Sequence, residues 1–83
     1  MRPYTLKQMH TFAEVARQGS VSKAAQKLFV TQPAVSMQLR QLEEAFGLPL
    51  FEPVGRNIRL TQAGEEFLTQ ALKALGEFKN LEA

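Results

Sequence analysis

Eighty-three residues with 45% hydrophobic and 22% charged side chains make one small soluble domain, able to bury one core but not a deep, lidded cavity. No run approaches the roughly 18 apolar residues of a membrane span, and Met1-Arg2-Pro3-Tyr4 is not the start of a secretory signal, so the expected location is the cytoplasm, away from membranes. There is no cysteine and a single histidine, His10, which removes disulfides, thiolate nucleophiles and the usual zinc sites, and the net charge of +2 divides unevenly: eight basic against four acidic residues up to position 63, then two against four. A basic front and an acidic tail imply a polyanion-facing part and a part facing something else.

The first helix opens at Thr5. Thr5 and Gln8 have capping-box spacing, and Leu6, Met9, Phe12, Ala13 and Ala16 recur on one stripe until Gly19 ends the helix. His10 lies beside that stripe and reads as a solvated helix residue. Ser20 caps a second, short helix with Val21, Ala24, Ala25 and Leu28 inward; the two alanines allow another helix to approach closely. Only Phe29 and Val30 separate it from a third helix, capped by Thr31, with Pro33 in the first turn and Val35, Leu39, Leu42 and Phe46 inward. Gly47 stops this helix and Pro49 prevents its resumption. Two helices joined by so tight a turn form a helix-turn-helix.

Leu50-Phe51-Glu52 and Ile58-Arg59-Leu60 then read as a short hairpin, broken at Pro53, Val54 and Gly55, with Arg56 and Asn57 near its tip. A hairpin in this place is a wing. Thr61 caps a last helix of about twenty residues, or roughly 30 Å. Its apolar residues fall on two stripes, Leu68-Ala71-Leu75-Phe78 and Phe67-Ala74-Phe78-Leu81. A small domain cannot cover both, so the excess predicts a partner helix from a second copy, with Leu68, Ala71, Leu72, Leu75 and Phe78 at the seam. The predicted fold is mainly α: a winged helix-turn-helix of three helices and a two-stranded wing over residues 1–62, then a linker and dimerisation helix over 63–83.

The outward face of the third helix carries the chemistry. Gln32, Ser36 and Arg40 repeat every four residues opposite the apolar stripe, with Pro33 and Met37 alongside and Thr31 at the cap. Glutamine can bond two edge atoms of adenine, arginine can reach guanine or a phosphate, and proline and methionine can meet a thymine methyl group. Glu43 and Glu44 come late in the helix, away from the end that would enter a groove. Arg56 and Arg59 on the wing can hold phosphates or enter a narrow minor groove, and Lys23 and Lys27 on the second helix can touch the backbone. The rival reading is a winged-helix protein-interaction module that dimerises through its last helix. It would want large apolar anchors on the third helix, where the sequence places Gln, Ser and Arg. An enzyme lacks a constellation: Glu43 and Glu44 are adjacent and point apart.

Gly19-Ser20-Val21-Ser22-Lys23-Ala24-Ala25, Leu28, Thr31-Gln32-Pro33-Ala34-Val35-Ser36, Leu42-Glu43, Gly47-Leu48-Pro49-Leu50-Phe51 and Leu60-Thr61-Gln62-Ala63-Gly64 resemble, in order and spacing, the N-terminal domain of LysR-type transcriptional regulators. The resemblance implies paired linker helices, tetramers in many full-length members, and double-stranded DNA at promoter inverted repeats as partner. It also implies a small-molecule effector bound only through a C-terminal domain absent from this chain, and no cofactor within it. By the same resemblance Gln32, Pro33 and Ser36 match the major-groove positions and Arg56 the wing arginine. Met37 and Pro53 depart from it, since basic residues are common at both. The tract from Thr31 to Gln38, with Gly47 to Glu52, also resembles the subgroup that controls Calvin-cycle operons.

Overall fold

The computed structural model describes the backbone of residues 4–82 and the side chains of residues 4–76. Helices α1 (Leu6–Gln18), α2 (Val21–Leu28) and α3 (Gln32–Phe46) precede strands β1 (Phe51–Val54) and β2 (Asn57–Leu60), and α4 (Gln62–Glu82) follows. Local chemistry sets the helix ends. At α1, the Thr5 hydroxyl accepts from Gln8 N while the Gln8 side chain accepts from Thr5 N. Ser20 and Thr31 accept from Lys23 N and Ala34 N at the starts of α2 and α3. Gly19 and Gly47 end α1 and α3 in the left-handed region.

The stop of α2 is different. Phe29 takes a left-handed φ of 59°, its N–H bonding back to Gln26 O, and its side chain is 94% exposed. A residue with a Cβ pays about 1–2 kcal/mol for that conformation. The strain makes the α2–α3 turn as short as the sequence requires.

The core joins Met9, Phe12 and Val15 of α1, Ala24 and Ala25 of α2, Val35, Leu39 and Leu42 of α3, Leu50, and Phe67, Ala71 and Leu75 of α4. Phe67 is its hub: its ring lies 4.8 Å from Phe12, 4.7 Å from Phe46 and 5.0 Å from Tyr4, all edge-on. Phe46, expected inward, sits at the margin of this cluster and is 37% exposed.

The start of α4 is fixed by three hydrogen bonds and one missing side chain. Thr61 Oγ1 donates to Pro49 O and accepts from Gly64 N, while Thr61 N donates to Leu50 O. A Cβ on Gly64 would overlap the Leu50 carbonyl oxygen, so only glycine lets the helix lie this close. The first half of α4 thus belongs to the domain core. The sequence boundary at residues 62 and 63 does not separate an independent helix.

The hairpin is longer and its turn tighter than the sequence suggested. Pro53 and Val54 lie within β1, opposite Ile58 and Asn57, and only Gly55 and Arg56 form the loop. Gly55 takes a φ of 60° at the first loop position, where two-residue hairpins favour glycine. Pro53 is tolerated because its pair with Ile58 is not hydrogen-bonded across the ladder: Ile58 N points away and donates to Gly19 O at 3.2 Å. That bond also ties the wing to the end of α1.

Candidate nucleic-acid interface

Helix α3 places its predicted contact residues as its periodicity demands. With Val35, Leu39 and Leu42 buried, Gln32, Pro33, Met37 and Arg40 stand in solvent and Ser36 is half-buried. Gln32 and Pro33 form the first turn of the helix. Thr31 is exposed, and its hydroxyl oxygen is engaged as the cap, which leaves its proton to donate outward. Gln32, Ser36, Met37 and Arg40 therefore share one face of α3 and Val35, Leu39 and Leu42 another, while Gln38 and Gln41 lie toward α1.

The two flanks of this face differ. On the wing side, Gln32 and Arg56 line one cleft of about 250 Å³ together with Ser20, Ser22 and Asn57. The fold thus brings the start of α3, the wing tip and the N-terminus of α2 together. Ser20, Ser22 and Asn57 were missed in the sequence. Their only signal was position, at a helix start and beside a hairpin loop. On the α1 side, Leu28, Val30, Ala34 and Val35 line a groove that Lys7, His10, Thr11 and Gln38 border.

Among the described residues the ion pairs are Arg17–Glu14, at 3.5 Å, and Arg59–Glu52, at 2.8 Å. Arg40, Arg56, Lys23 and Lys27 are exposed and stand outside both pairs. Lys23 and Lys27 line a shallow surface depression with Gln18 and Gln26, with no carboxylate among them. Arg59, expected as a further contact, donates to Glu52 directly across the hairpin. Glu43 is also occupied: its carboxylate accepts from Leu50 N at 2.7 Å and shapes the turn after α3. Leu50 N becomes a visible partner only once the chain has turned back on α3, so sequence spacing gave no sign of that role.

The expected dimer seam needs correction. Phe67, Ala71 and Leu75 step by four and form one inward stripe, which packs in the chain's own core where α1 covers α4. Ala71 is 1% and Leu75 8% exposed, so neither is free to meet a partner in this packing. Leu68 is half-buried against the same core, whereas Leu72 is 53% exposed. The Phe78 side chain lies outside the described residues.

Residues 6–65 match the family model described as "Bacterial regulatory helix-turn-helix protein, lysR family". Among curated relatives, the transcriptional activator CmpR of Synechocystis sp. is 53% identical over 68 residues, covering 82% of this chain and 22% of the relative. The transcriptional regulator CfxR of Cupriavidus necator is 46% identical over 82 residues, covering 99% of this chain and 26% of the relative. A RuBisCO operon transcriptional regulator of Allochromatium vinosum is 47% identical over 73 residues, covering 88% and 24%. The chain thus spans about a quarter of the length of these relatives. Among solved structures, the DNA-binding domain of CbnR in complex with DNA superposes with a TM-score of 0.89 at 35% identity, over 94% of this chain and 90% of that one. Full-length CbnR with its target DNA gives 0.88 at 35% identity, over 94% of this chain and 27% of that one.

Proposed function

The chain belongs to the LysR family of bacterial regulatory helix-turn-helix proteins, and from that premise we propose that it binds promoter DNA sequence-specifically as the N-terminal part of a dimeric transcriptional regulator. The observation that carries this reading is the convergence of Gln32, Arg56 and the α2 N-terminus on one cleft beside the exposed face of α3. In the complex, α3 enters the major groove by its N-terminal turn. Gln32 bonds a base edge, Pro33 and Met37 make apolar contacts, and Ser36 and Arg40 reach bases or phosphates farther along. Arg56 enters the adjacent minor groove or holds its phosphates, and Lys23 and Lys27 neutralise the backbone. Thr31 donates its hydroxyl proton to a phosphate. Met37 is the large apolar side chain on this face and stands among Gln32, Ser36 and Arg40, a poor match to the clustered apolar anchors a protein groove would want.

Two copies related by a two-fold axis would engage the halves of an inverted repeat, linked through α4 with Leu72 in the seam. Linkage raises the effective concentration of the second recognition helix, so one half-site binds far more weakly than two. The relatives named as RuBisCO operon regulators make carbon-fixation promoters the first targets to try. Effector binding belongs to a C-terminal domain, and this part acts without a cofactor in the cytoplasm. The test is a salt titration of binding to a duplex. Affinity should fall steeply with salt, and Arg56→Ala should flatten the slope by about 0.9. Binding that ignores salt, or no binding, would overturn the reading.

A further inference from the structure

The wing carries two arginines in different electrostatic settings. Arg56, in the turn, is exposed and belongs to neither ion pair of the described residues. Arg59 donates from Nε to Glu52 Oε2 at 2.8 Å, and the two residues are direct partners in the ladder. We propose that Glu52 is a positioning residue that withholds Arg59 from DNA phosphates, so that the wing acts through Arg56 alone. The proposal rests on the DNA-binding reading above.

The placement of Arg59 gives the restraint its meaning. Side chains two apart on a strand share a face, so Arg59 stands on the face of Asn57, about 7 Å along β2. Asn57 lines the cleft with Gln32 and Arg56. Ile58, on the opposite and half-buried face of β2, lines the cleft as well, so a released Arg59 stands on the exposed face of the wing, beside Asn57 and open to a phosphate. A carboxylate and a phosphate compete for the same guanidinium donors. The Glu52–Arg59 pair is open to solvent, with side chains 42% and 67% exposed, and an exposed pair is weak. The ladder nevertheless keeps the carboxylate beside the guanidinium, so a phosphate must displace a competitor at high effective concentration, and removing Glu52 removes that competitor.

The experiment compares the parent chain, Glu52→Gln and the double variant Glu52→Gln/Arg59→Gln on one duplex at about 50 and 200 mM salt. One added phosphate contact makes Glu52→Gln bind more tightly at low salt and lose about threefold more affinity over that range. The double variant keeps the parent's net charge and should return to the parent's slope. A Glu52→Gln slope equal to the parent's, or a gain that survives in the double variant, overturns the proposal while leaving DNA binding intact. A parent that does not bind duplex overturns the functional reading beneath it.

Discussion

Helix α3 turns Val35, Leu39 and Leu42 inward and leaves Gln32, Pro33, Met37 and Arg40 in solvent, whereas α4 turns Phe67, Ala71 and Leu75 inward and leaves Glu65, Glu66, Leu72 and Lys73 outside. Both helices are amphipathic, but their outer faces suit different partners. The early outer face of α3 has no carboxylate before Glu43, and Arg56, which shares a cleft with Gln32, is basic. The start of α4 is acidic, and among the described residues of α4 Leu72 is the large exposed apolar one. The contrast supports the proposal that α3 faces the polyanion. It also shows that, among the described residues of α4, most of the apolar side chains close the domain itself.

The contrast is most open to attack at Phe67. If α4 is part of the core, Phe67→Ala should cost about 3–5 kcal/mol in urea unfolding, whereas a separable linker helix would lose under about 1. Gly64→Ala comes next. In an ordinary helix interior this change stabilises by roughly 0.5–1 kcal/mol. Here the overlap with the Leu50 carbonyl should reverse the sign, with a loss of about 1–3 kcal/mol. A gain in melting temperature would mean that α4 does not lie on Leu50.

On α3 the expected effect is on binding. Gln32→Ala should weaken the preferred site by about 1–3 kcal/mol and relax preference at one base pair, measured on a panel of single-base variants. Equal loss on every sequence would make Gln32 a backbone contact. The smallest effect on stability belongs to Leu72→Glu. Its melting should stay within about 0.5 kcal/mol of the parent, because Leu72 is exposed. Sedimentation should nevertheless show weaker self-association, and an unchanged dimer would place the seam elsewhere on α4.

The helix ends were legible because each depends on neighbours a few residues away: the Thr5–Gln8 box, the Ser20 and Thr31 caps, and the Gly19 and Gly47 stops. The outward face of α3 was legible because one stripe of three aliphatic residues leaves a single choice of inside. The length of the wing was not. Pro53 reads as a break until the register shows that its missing N–H faces away from the partner strand. The inward face of α4 was ambiguous for a similar reason. Two adjacent apolar stripes fit one helix equally well, and only the position of α1 selects Phe67, Ala71 and Leu75. The restraint on Arg59 likewise exists only across strands.

The central claim is that the α3 face and the wing together read base sequence. Selection of bound duplexes from a randomised library, at about physiological salt, tests it most directly. The account predicts enrichment of an interrupted inverted repeat, with Gln32→Ala losing preference at one position in each half. Retention of duplexes without any enriched sequence, at a protein concentration that saturates binding, would contradict it.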